Sequence, residues 1–122
     1  MDTSRTLLYI DDEPLNLMLF AQLFKRDFDV LTAASGIQGL QILRENPSVQ
    51  VVICDMKMPQ MTGMEFIAIA RQEFPSVAYY ILSGYEMTEE VLEALNKTLI
   101  LKYFRKPFDV GDIKDTIGVH YQ

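Results

Sequence analysis

Short apolar runs, several rich in β-branched residues, alternate along the chain with longer amphipathic stretches. Five of the runs read as strands: Leu7–Ile10, Val30–Ala33, Val49–Cys54, Val77–Leu82 and Leu99–Phe104. The stretches between and after them predict helices over about 14–26, 36–46, 63–74, 87–98 and 109–120. Start signals support these helices. Pro14 suits a first helical turn, Ser35-Gly36-Ile37-Gln38 and Thr62-Gly63-Met64-Glu65 read as capping boxes, and Asp109 reads as an N-cap. Strands that alternate with helices need crossover connections, so the pattern predicts an α/β fold of (βα)5 type. That fold is a doubly wound, five-stranded parallel sheet with helices on both faces. Val51-Val52-Ile53 and Tyr80-Ile81-Leu82 are apolar at consecutive positions, as expected of strands covered on both sides. The chain shows no internal repeat, low-complexity segment or linker, and residues 1–122 read as one domain.

Composition narrows the function classes. Hydrophobic residues at 49% and charged residues at 23% are an ordinary globular mix, which argues against disorder. The longest apolar runs are too short to cross a bilayer. The start, MDTSRTLLYIDDE, lacks the basic and apolar regions of a secretory leader, so a cytoplasmic location is expected and no membrane partner. The one cysteine, Cys54, excludes an intrachain disulfide or a thiolate-rich zinc site and reads as a core residue. With 11 Lys and Arg against 17 Asp and Glu, the net charge of −6 disfavours direct nucleic-acid binding.

In an open parallel sheet, ligands bind beyond the carboxyl ends of the strands. The first predicted strand is followed there by Asp11-Asp12, the third by Asp55, the fourth by Ser83 and the fifth by Lys106-Pro107; the second ends in Ala33-Ala34, with nothing reactive. Three carboxylates converging on one edge repel one another unless a cation sits among them. Magnesium fits, since it takes oxygen ligands and is held by one or two carboxylates plus phosphate, and manganese is an alternative. Asp12 and Asp55 are the best direct ligands, Asp11 acts through water, and the backbone carbonyl of Lys57 completes the set. A strand-end carboxylate can also attack phosphorus to give an aspartyl phosphate. Lys106 would then clamp one phosphoryl oxygen and the Ser83 hydroxyl another.

Four motifs in this order carry a resemblance: Tyr9-Ile10-Asp11-Asp12-Glu13-Pro14, Cys54-Asp55-Met56-Lys57-Met58-Pro59-Gln60-Met61-Thr62-Gly63, Leu82-Ser83-Gly84 and Arg105-Lys106-Pro107-Phe108. Over nearly its whole length the chain resembles the receiver domain of two-component response regulators, which have a flavodoxin-like fold. The resemblance implies that Asp55 is the phosphoacceptor, Asp11 and Asp12 the acidic pair, Ser83 the switch hydroxyl and Lys106 the phosphate-contacting lysine. It implies a cis bond between Lys106 and Pro107, and places in Tyr103 the aromatic that moves with Ser83. The implied partners are a sensor histidine kinase or histidine phosphotransfer protein and a downstream effector or missing output domain. A phosphorylation-dependent homodimer belongs to the same set. Enzyme applies only in a self-modifying sense, to the domain's own phosphoryl transfer and hydrolysis. The implied output face is formed by the fourth helix, fifth strand and fifth helix, with Val91, Leu95, Lys102 and Arg105 as candidates. Lys57 and Tyr85 flank the route of an attacking water.

Other readings fit less well. A phosphorylation-independent interaction module leaves five filled chemical positions without a use. A haloacid-dehalogenase-like phosphatase needs two aspartates spaced by one residue, whereas Asp11 and Asp12 are adjacent. A nucleotide or flavin carrier lacks GxxxxGK[ST] and GxGxxG alike. Met56, Met58, Met61 and Met64 read as core filling. His120, the only histidine, cannot build a multi-histidine metal site.

Overall fold

The computed structural model describes residues 5–121. The first four residues of the segment read above for a leader lie outside them. Five parallel strands, β1 (Thr6–Ile10), β2 (Asp29–Ala33), β3 (Val51–Cys54), β4 (Ala78–Ser83) and β5 (Lys102–Arg105), form one sheet in the order β2-β1-β3-β4-β5. Between and after them run α1 (Pro14–Phe24), α2 (Gly36–Glu45), α3 (Gly63–Glu73), α4 (Glu89–Asn96) and α5 (Val110–Gly118), followed by a 3-10 turn at Val119–Tyr121. The (βα)5 architecture read from the sequence is therefore the observed one.

Strand residues alternate between two cores, because successive side chains leave a strand on opposite faces. Leu8, Ile10, Val52, Cys54, Tyr79 and Ile81 pack with the buried residues of α2, α3 and α4. Leu7, Tyr9, Val51, Ile53, Tyr80 and Leu82 pack with those of α1 and α5. In the second core the Tyr9 and Phe20 rings stack at 4.0 Å, and Phe20 stacks on Phe24 at 4.2 Å. Met58 and Met64 are buried, and Met56 and Met61 pack against the first core, as filling residues should.

The helix starts follow their local chemistry. Pro14 opens α1. Thr62 and Glu65 complete a reciprocal capping box on α3, and Asp109 caps α5 by accepting from the Asp112 N–H. At α2 the box is altered: Ser35 Oγ accepts from the Gln38 N–H, but the Gln38 side chain reaches past Ser35 to the Ala34 N–H at 2.6 Å.

The region between α4 and β5 differs from the sequence reading. The run Leu99–Phe104 predicted a strand, yet β5 begins only at Lys102. Thr98 adopts a φ of 57°, and the Leu99 N–H turns back onto the Ala94 carbonyl at 2.8 Å, closing the end of α4. Leu99 and Ile100 thus serve the helix terminus, with Ile100 buried, while the Leu101 N–H already donates to the Tyr79 carbonyl of β4 at 2.9 Å. At the other end α4 starts two residues later than expected, because Thr88 accepts from the Val91 N–H and caps it.

Candidate functional site

Strand order reverses between β1 and β3, and the site forms at their carboxyl ends, where open α/β sheets bind ligands. The sheet's hydrogen bonding runs one residue past the strands into it. The Asp11 N–H donates to the Ala33 carbonyl at 3.1 Å, the Asp55 N–H to the Ile10 carbonyl at 2.8 Å, and the Lys106 N–H to the Ser83 carbonyl at 2.9 Å. Asp11, Asp55 and Lys106 are therefore each the first residue beyond a strand, anchored by their own backbones.

The structure brings Asp11, Asp12 and Asp55 together, with one carboxylate oxygen of each within 4.8 Å of the others. Asp11 is fully buried, Asp55 is 8% exposed and Asp12 is half-buried. Desolvation and then the Asp11 charge push the Asp55 carboxyl up to about 6. Lys106 and the Met56 N–H, which donates to Asp55 Oδ1 at 2.9 Å, pull it the other way. A carboxyl raised first by burial and then by a neighbouring carboxylate sits where a bound cation would be favoured. Hard oxygen donors and mutual repulsion together suit magnesium or manganese. The Met56 carbonyl is engaged by the Gly63 N–H at 2.9 Å, so the next carbonyl along is that of Lys57.

Lys106 is the cation already present. Its Nζ lies 3.2 Å from Asp11 Oδ2, and its side chain is 27% exposed against 0% for Asp11. The Lys106–Pro107 peptide is cis. Two residues not singled out from the sequence also hold Asp11. The Tyr9 hydroxyl donates to Oδ2 at 2.7 Å and Asn16 Nδ2 donates to the same oxygen at 3.2 Å, while the Glu13 N–H donates to Oδ1 at 3.0 Å. The available signal for Tyr9 was the strand period: residues two apart share a face, so Tyr9 and Asp11 point the same way. Asn16 lies on the first turn of α1, where sequence spacing alone did not pair it with Asp11.

Ser83 is buried at the end of β4, and its Oγ accepts from the Tyr85 N–H at 3.2 Å. Tyr103 is nearly buried, and its hydroxyl donates to the Tyr85 carbonyl. Lys57 Nζ sits 4.1 Å from the centre of the Tyr85 ring. Tyr85 thereby joins the loops after β3 and β4 to β5, and Tyr103 meets the loop after Ser83 rather than Ser83 itself. One surface assignment is corrected. Val91 is 0% exposed and belongs to the core, whereas the next residue, Leu92, is 50% exposed, because only one side of α4 faces outward.

Gly63, part of the capping box read from the sequence, carries a sharper constraint in the structure. A Cβ at this position would lie 2.3 Å from the Asp55 carbonyl oxygen and 3.2 Å from Met56 Cα. Both are backbone atoms that cannot rotate aside. Gly63→Ala is expected to cost about 1–3 kcal/mol of stability, through displacement of α3 or of the Asp55 loop. Urea denaturation of the two proteins checks this; an unchanged midpoint would show that the loop accommodates a methyl group freely.

Residues 7–118 match the family model for the response regulator receiver domain. The hydrogenase transcriptional regulatory protein HoxA of Cupriavidus necator is 31% identical over 95% of this chain, which spans 24% of that protein's length. Sporulation initiation phosphotransferase F of Bacillus subtilis is 28% identical over 91% of this chain and 89% of its own length. Among solved structures, a response regulator receiver domain protein from Clostridium thermocellum superposes with a TM-score of 0.87. It is 33% identical and the match covers 95% of this chain and 93% of that one. Among the described residues no helix is long and apolar enough to cross a membrane.

Proposed function

The chain belongs to the response regulator receiver family, and from that premise we propose that Asp55 accepts a phosphoryl group from a phosphohistidine of a sensor histidine kinase or phosphotransfer protein. The observation that carries this reading is the grouping of three carboxylates with Lys106 at one sheet edge. A carboxylate oxygen of Asp55 attacks phosphorus, the phosphorus–nitrogen bond breaks with its electron pair left on the imidazole, and an acyl phosphate results. Magnesium held by Asp12, Asp55 and the Lys57 carbonyl, with Asp11 acting through water, would neutralise charge on the phosphoryl oxygens.

The chain's own residues do the rest. Lys106 moves from Asp11 to one phosphoryl oxygen, and Ser83 donates its hydroxyl proton to another. Drawing Ser83 inward pulls on Tyr85 through the hydrogen bond between them, and Tyr103 follows through its bond to the Tyr85 carbonyl. The charge change thus biases the face built by α4, β5 and α5, where Leu95, Lys102 and Arg105 remain the candidates. Water attack on phosphorus later restores the carboxylate and releases phosphate, past Lys57 and Tyr85. The downstream partner is an effector protein, an output domain or a second copy of the chain, and the setting is the cytoplasm.

Phosphorus-31 NMR after incubation with magnesium and phosphoramidate, a small donor with a phosphorus–nitrogen bond, tests the reaction. An acyl phosphate resonance that hydroxylamine discharges is expected; a resonance stable to hydroxylamine would place the phosphoryl group elsewhere. The metal requirement has its own check. Magnesium is expected to raise the thermal midpoint of the wild type by binding only the folded acid cluster, and Asp12→Ala to lose that shift. An equal shift in the variant would remove Asp12 from the ligand set.

A further inference from the structure

Asp11 Oδ2 has more donors than its geometry readily serves. A carboxylate oxygen offers about two lone-pair positions, yet Tyr9 Oη at 2.7 Å, Asn16 Nδ2 at 3.2 Å and Lys106 Nζ at 3.2 Å all converge on this one atom. The three donors differ in freedom. Tyr9 is 1% exposed, lies within β1 and has its ring stacked on Phe20 at 4.0 Å, so its hydroxyl cannot swing away. Asn16 is held on α1. Lys106 has the longest and most flexible side chain of the three, and that side chain is 27% exposed.

Under the proposed function, on which this inference rests, Lys106 must abandon Asp11 for the phosphoryl group. A buried carboxylate that loses its charged partner is costly unless neutral donors remain on it, and at Asp11 those are Tyr9 and Asn16 on Oδ2 and the Glu13 N–H on Oδ1. We infer that Tyr9, assisted by Asn16, is a positioning residue that keeps Asp11 Oδ2 satisfied as Lys106 leaves, and so lowers the barrier to capture of the phosphoryl group. Tyr9 touches neither the phosphoryl group nor the metal in this account; it acts by freeing Lys106. Without its hydroxyl, Asp11 would depend more heavily on Lys106 and hold it back.

Tyr9→Phe tests this, because the ring keeps its stacking partner while the donor is removed. Initial rates of phosphorylation by acetyl phosphate are expected to fall about tenfold, the equivalent of one charge-assisted hydrogen bond. Magnesium affinity is expected to stay within about twofold, since the acid cluster keeps its three carboxylates. In a Lys106→Ala background, followed at higher donor concentration and longer times, adding Tyr9→Phe is expected to change the rate less than about twofold, because no lysine remains to be released. An unchanged rate for Tyr9→Phe alone, a parallel loss of magnesium affinity, or a full tenfold loss that persists without Lys106 would each overturn the inference. Failure of the wild type to be phosphorylated at all would instead strike at the function on which it rests.

Discussion

Lys106→Ala is expected to slow phosphorylation of Asp55 by about 10²- to 10³-fold, the usual scale for removing one preorganised electrostatic contact to a developing charge. The same substitution is expected to tighten magnesium binding. Lys106 Nζ lies 3.2 Å from Asp11 Oδ2 and lowers the Asp55 carboxyl toward its ordinary range, so it already supplies part of the positive charge that the acid cluster demands. Its removal leaves that demand to the metal alone, while the phosphoryl oxygens lose their cation. Calorimetric titration with magnesium and initial rates with acetyl phosphate read the two effects separately. Opposite signs identify electrostatics. Parallel losses accompanied by a changed circular dichroism spectrum would mean that the variant has misfolded, and an unchanged rate would remove Lys106 from the chemistry.

The second large effect concerns stability and pH. The Asp55 carboxyl is pushed up to about 6 from an ordinary 3.8, so in metal-free protein the folded chain binds this proton more tightly than the unfolded chain. Stability therefore falls as pH rises between these two values, and the loss is fully present above the upper one. Asp55→Asn carries no charge and escapes it. In the presence of a chelator at pH near neutral the variant is expected to be more stable by on the order of 2 kcal/mol, an amount reduced by partial solvent screening of the site. The advantage is expected to vanish once the wild-type carboxylate is protonated in acid, and also on adding magnesium at neutral pH. Urea denaturation across this pH range checks it. A gain that is the same in acid and at neutral pH would point to packing and not to charge.

Much of this was legible in the chain. The alternation of apolar runs with capped amphipathic stretches placed five strands and five helices, because burial on both sheet faces and the capping chemistry of Pro14, Thr62 and Asp109 are local properties. The strand-end positions of Asp11, Asp12, Asp55, Ser83 and Lys106 were likewise local, and the topology of a parallel sheet brings such ends together. What failed depended on tertiary context. Leu99 and Ile100 read as strand because they are apolar, and the positive φ at Thr98, which turns them back onto the end of α4, is not written in hydrophobic pattern. Val91 came with the resemblance as an output-face candidate, but it lies on the side of α4 that packs into the core, a matter of tertiary packing. The Cβ-excluding contact at Gly63 and the Asn16 bond to Asp11 depend on how α3 and α1 are placed against the strand ends, and residue order does not specify that, whereas the Tyr9 bond to Asp11 follows the two-residue period of β1.

The central claim is that Asp55 is phosphorylated in a magnesium-dependent reaction catalysed by this chain itself. Intact-protein mass spectrometry after incubation with acetyl phosphate, with and without magnesium, on the wild type and on Asp55→Asn, tests it most directly. A single phosphoryl adduct that requires magnesium and is absent from the variant is the expected result. An adduct that survives in Asp55→Asn, or no adduct on a wild-type protein that binds magnesium normally, would contradict the account.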